Sequence, residues 1–139
     1  ADSTGSAAAV CPVTTPTGEF VPPAPYTPRP STADSGDVWF GTDELFTVLP
    51  FDGAYGHRKS VWWSTEFPGG DQEEQPPITV TWTRLDDPSV THTHSPGTNA
   101  YTGVDGWFII AGIDPDEAGC WQVEATYKGA TLTYVYDRS

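Results

Sequence analysis

The sequence predicts an all-β protein, an immunoglobulin-like sandwich of about seven antiparallel strands with an extended Pro-rich N-terminal arm. Three observations lead there. The chain holds six Trp, six Tyr and six Phe but no Met among its 139 residues, a mixture that suits half-buried pleated surfaces better than helices. Beyond Asp37 it consists of short apolar runs separated by connectors rich in Gly, Pro, Asp and Ser, which is the spacing of a sandwich. Seven of the 14 prolines fall within residues 1–37, which limits any strand there to the few residues between them.

The arm, residues 1–37, is rich in Thr, Ser and Ala and poor in large apolar side chains, so it has no core of its own. The sandwich, residues 38–139, begins with "VWFG" and "ELFTVLP", followed by "KSVWWST". In "ITVTWTRL", Ile78, Val80 and Trp82 share one face and Thr79, Thr81 and Thr83 the other, as in a half-buried antiparallel strand. The stretch "DPSVTHTHSPGTNAYTG" can add one or two short edge strands, and "GWFIIAG" follows it. The last two runs, "CWQVEATY" and "ATLTYVYD", are separated by Lys128 and Gly129 alone, a two-residue hairpin loop. A partly closed barrel is the alternative arrangement.

The net charge of −13 repels nucleic acid and anionic membrane surfaces, which argues against both as partners. No apolar run reaches the ~20 residues of a transmembrane helix. The small polar opening "ADSTGSAAAV" reads as the start of a mature exported chain, so a secreted or cell-surface location is expected.

Cys11 and Cys120 match no metal or redox spacing, and one long-range disulfide is the simplest reading. Alternation in "GCWQVEATY" puts Trp121, Val123, Ala125 and Tyr127 on the core face and Cys120 on the other. Cys120 therefore needs a partner outside the sandwich, and Cys11 would pin the arm to the final hairpin. From that anchor the arm can lie on its own domain or on a neighbouring copy, with Val10, Val13, Phe20, Val21 and Tyr26 as its contact residues. Trp62 and Trp63 must face opposite ways, which leaves one of them for such contacts.

The "CPVT" at Cys11–Thr14, the central "WWS" and the closing "GCWQVEATYKGATLTYVY" resemble a group of small exported or lipid-anchored bacterial proteins. These share a "CPVT" start, a "GCWEVT" strand and a closing "LTFVV"-type strand. The resemblance implies export and a β-sandwich and brings no activity or active-site residues with it.

Chemistry-bearing constellations are sparse. His92 and His94 in "THTH" share one strand face and form a metal candidate if His57 or a carboxylate joins them. Asp114 and Asp116 in "DPDE" are the best placed of the connector carboxylates for calcium, although the regular acidic spacing of known calcium loops is missing. No nucleophile elbow, zinc helix or phosphate loop is present, so neither catalysis nor a resident cofactor is expected. The primary expectation is a non-catalytic structural protein, a subunit of an extracellular filament or surface layer whose partners are copies of itself. The alternative is a monomeric extracellular module that binds carbohydrate or a divalent cation, and an enzyme with spatially paired carboxylates ranks third.

Overall fold

A computed structural model describes residues 11–17, 19–22, 37–50, 59–69, 72–97, 99–103 and 106–138. Among these are nine strands and no helix. They are β1 (Asp37–Thr42), β2 (Leu45–Pro50), β3 (Lys59–Trp62), β4 (Ile78–Arg84), β5 (Thr91–His94), β6 (Asn99–Gly103), β7 (Gly106–Ile113), β8 (Gly119–Tyr127) and β9 (Ala130–Arg138). The seven anticipated runs are all strands, and "DPSVTHTHSPGTNAYTG" supplies β5 and β6, each at a sheet edge.

One antiparallel sheet has the order β5-β4-β8-β9 and the other β3-β7-β6. The β1-β2 hairpin joins the second sheet through a reciprocal backbone pair between Phe46 and Trp63, with N to O distances of 2.9 and 2.8 Å. Gly41 is required in that hairpin. At its φ of +135° a Cβ would lie 2.5 Å from the Leu45 carbonyl oxygen, on the strand it pairs with.

The sheets pack face to face because each strand alternates. Ile78, Val80 and Trp82 of β4 and Trp121, Val123, Ala125 and Tyr127 of β8 point inward, where they meet Leu45, Leu49, Trp62, Ile109 and Ala111 of the opposite sheet. The outward side of the four-stranded sheet carries rows of threonine. Cross-strand hydroxyl pairs Thr81–Thr93, Thr83–Thr91 and Thr126–Thr131 lie 3.2–3.3 Å apart, a small stabilisation added to each ladder.

Strand β2 is buried on both faces. All of Leu45 to Leu49 is buried, because a separate cluster of Trp39, Phe46, Val48 and Trp63 covers the face turned away from the main core. Trp62 and Trp63 therefore do face opposite ways, but neither is exposed. Trp62 lies in the main core, while Trp63 stands edge-on to Trp39 at 4.9 Å and stacks on Phe46. The ring turned away from the main core, Trp63, thus stands in the cluster against which Phe20 of the arm packs.

The Cys11–Cys120 disulfide is present and closes a sequence separation of 109 residues. Cys120 does not point into the core, as its register requires. From this anchor the arm crosses the outer edge of β9. The Thr14 N–H donates to the Val135 carbonyl at 2.9 Å, and Thr14 Oγ1 accepts from the Val135 N–H at 2.9 Å. One threonine thus satisfies both outward groups of an edge residue, its hydroxyl standing in for a strand carbonyl. Val13 and Thr14 also lie beside Leu49, Pro50 and Tyr134, so the arm seals the seam between β2 and β9. Farther along, Pro16 and Pro22 are buried, and the ring of Phe20 packs 5.4 Å from that of Phe46. Val21 is exposed. Val10 and Tyr26 lie outside the described residues.

Candidate polar cleft and the closing hairpin

While the arm lies over the seam between β2 and β9, a cleft opens between edge strand β5 and the connector after β7. Register decides what faces it: Trp82 pairs with His92 and Val80 with His94, so both histidines point to the inner side of the sheet, as Trp82 and Val80 do. The resulting cleft, about 430 Å³, is lined by these histidines, Trp82, Gly112, Ile113, Asp116 and Glu117. His94 packs over Gly112, whose φ is +76° and where a Cβ would come 3.1 Å from His94 Cβ and Cγ. A side chain there would push the imidazole out of place.

The connector is tied down by two indoles. Trp82 Nε1 donates to Oδ1 of the buried Asp114 at 3.0 Å, and Trp121 Nε1 donates to the Glu117 carbonyl at 3.0 Å. Its outer carboxylates are paired as well. Glu117 meets His92 Nε2 at 2.8 Å, and Asp116 bridges to Arg138 at 2.7 Å.

Of the four cation candidates, His92, His94 and Asp116 line the cleft, whereas Asp114 is buried and bonded to Trp82. Three of the four are already engaged, with Glu117, Trp82 and Arg138. Among the described residues no group of three or more His, Cys, Asp or Glu is positioned to hold a metal ion. His57 lies outside the described residues. The cleft offers hydrogen-bonding groups, the His92–Glu117 hydrogen bond and the Asp116–Arg138 ion pair beside an apolar floor. The Glu117–His92 pair and the role of Gly112 were not foreseen, since both depend on how "THTH" registers against "TWT".

A second polar cluster sits at the β8-β9 turn. Lys128 and Gly129 both have positive φ, 49° and 87°, as a two-residue hairpin of this kind requires. Lys128 tolerates this conformation because its side chain is held, by an ion pair to Glu73 at 2.8 Å and a hydrogen bond to the Glu66 carbonyl at 3.2 Å. Tyr127 donates its phenol to Glu73 at 2.5 Å. Burial works to raise the Glu73 pKa, but the hydrogen bonds from Lys128 and Tyr127 and the charge of Lys128 outweigh it and hold the carboxyl below its ordinary value.

The Tyr127 phenol is pushed upward, first by burial and then by its bond to Glu73 and the charges of Glu73 and Glu66. The unfolded chain ionises this tyrosine near pH ~10, whereas the folded one keeps the proton. The stabilisation is therefore complete below that pH and is lost as the pH rises above it. Denaturation followed from pH 9 to 11 should show stability falling with pH, and Tyr127→Phe should flatten that slope. An equal slope in the variant would place its origin elsewhere.

No protein-family model, curated protein or solved structure matches the chain.

Proposed function

We propose that this chain is a non-catalytic structural protein of the cell exterior, an immunoglobulin-like domain that assembles with copies of itself through its N-terminal arm. The observation that supports this reading is the Thr14–Val135 clasp. The arm engages one residue of an outer sheet edge by its backbone and a hydroxyl, and pairing along a sheet edge is a recurrent way for one chain to hold another. The buried Trp62 and Trp63 move the expected contact away from exposed aromatics and onto the arm and the β9 edge. The resemblance carried by "CPVT" and "GCWQVEATY" supports export.

Deleting residues 1–30 should abolish assembly, seen as loss of large particles in negative stain and a fall to monomer on native sizing. An intact protein that stays monomeric at high concentration would overturn the reading. The presence of His92, His94 and Asp116 in the lining of one cleft favours a second reading, an extracellular module that binds carbohydrate or a divalent cation. Chemical-shift changes confined to cleft residues on adding an oligosaccharide or Ca²⁺ would support it, and unchanged spectra would remove it.

A further inference from the structure

We propose that the strap also closes in trans: Cys11, Thr14 and Phe20 of one copy engage Cys120, Val135 and Phe46 of the next, which links copies head to tail through a disulfide. This names the contact behind the structural reading and rests on it.

Chain length permits the exchange. Fourteen residues, 23–36, separate Pro22 from the start of β1 at Asp37. Fully extended they span up to ~50 Å. A domain of ~100 residues has a radius of gyration of about 13 Å, so it is roughly 35 Å across. The whole clasp through Pro22 therefore reaches the equivalent place on an adjacent copy with every contact unchanged.

Charge favours the same contact. The protein carries a net −13, yet "CPVTTPT", Cys11 to Thr17, has no charged residue, and it meets the uncharged Tyr134, Val135 and Tyr136. The strap itself therefore sets no charge against the strip, whose acidic neighbour is Asp137, opposite Cys120. The cis and trans clasps share the same bonds, so the balance between them is one of effective concentration: the linker sets an internal value in the ~mM range, and trans closure grows as protein concentration approaches it. The strap and its receiving edge are different surfaces, so the contact is heterologous and propagates as an open chain unless the rotation closes it into a ring.

The chemistry is thiol–disulfide exchange with no net oxidation. A small thiolate attacks Cys11 Sγ, breaks the Cys11–Cys120 bond, forms a mixed disulfide on Cys11 and releases Cys120 as thiolate. The Cys120 thiolate of a neighbour then attacks Cys11 Sγ, forms the intermolecular disulfide and releases the small thiolate again. Each step makes one S–S bond and breaks one.

The test mixes heavy-isotope and ordinary wild-type protein at high concentration with a catalytic amount of small thiol, followed by alkylation, digestion and mass spectrometry. The expected result is a heavy–light Cys11–Cys120 peptide pair whose share rises with protein concentration. Same-isotope pairs alone would overturn the proposal. Cys11→Ser mixed with Cys120→Ser under oxidising conditions should give the crosslinked heterodimer in about tenfold excess over either homodimer, because only that pairing is held in register by the clasp. A statistical mixture of the three dimers would overturn it. Sizing of the isotope sample separates the two levels: large particles without hybrid peptides sink the trans clasp and leave the structural reading standing, whereas neither particles nor hybrids sinks both.

Discussion

Replacing Cys120 with Ser is expected to lower the free energy of unfolding of the monomeric protein by about 4–5 kcal/mol, among the largest effects any single side chain here can have. The bridge spans 109 residues, nearly the whole described chain, so without it the unfolded ensemble regains most of its freedom. The loss acts mainly on the unfolded state, and that separates it from a loss of packing. The denaturant dependence should steepen as well, because an uncrosslinked unfolded chain exposes more surface. Urea titration of both proteins checks this, and a fall of under ~1 kcal/mol with an unchanged slope would contradict the entropic account. Thr14→Ala, with the disulfide intact, removes the hydroxyl acceptor for Val135 and should cost only about 1 kcal/mol. The contrast between the two variants tells whether the covalent anchor or the strand-like clasp dominates.

The second large effect is at Trp82. Its ring is 2% exposed in the middle of the core, and its N–H serves the buried Asp114. Trp82→Ala should cost about 3–5 kcal/mol through the cavity alone. Loss of the donor to Asp114 brings a further penalty of about 1–3 kcal/mol, not fully additive with the first. Trp82→Phe divides these contributions, since it keeps most of the volume and removes only the donor. Equilibrium denaturation of the two variants, together with the His92 and His94 imidazole resonances, provides the check. Movement of both resonances in the Phe variant would show that the indole positions the connector and, with it, the cleft. Resonances that stay in place would limit Trp82 to packing.

These two expectations rest on features of different legibility. The disulfide was readable because "GCWQVEATY" has a strict period of two, which turns Cys120 off the core face and leaves Cys11 as its match. The seven main strands were readable for the same reason, each having one apolar face and turn residues at its ends. Trp62 and Trp63 show where this reasoning stops. Alternation told that they point opposite ways, but nothing local told that the far face of their sheet is also covered, by Trp39, Phe46 and Phe20. A residue's burial depends on what arrives from elsewhere in the chain, and Phe20 arrives from an arm that has no pattern of its own.

The cleft is a similar case. "THTH" and "DPDE" were each recognisable as polar segments of interest, and the fold does place them side by side. Whether they become ligands or partners of one another is a matter of a few ångströms. Glu117 falls on His92 and Asp116 on Arg138 only because β5 registers Trp82 against His92 and because Trp82 and Trp121 hold the connector down.

By itself, then, the sequence determined the all-β class, the main strands, the outward direction of Cys120 and the hairpin at Lys128–Gly129, since all of these follow from two-residue periodicity and local backbone preference. Only the tertiary structure decided that β2 is buried on both faces, that Thr14 bonds the β9 edge at Val135, and that His92 pairs with Glu117 at the cleft. Those outcomes come from contacts between segments far apart in the chain, whose register and separation no local pattern encodes.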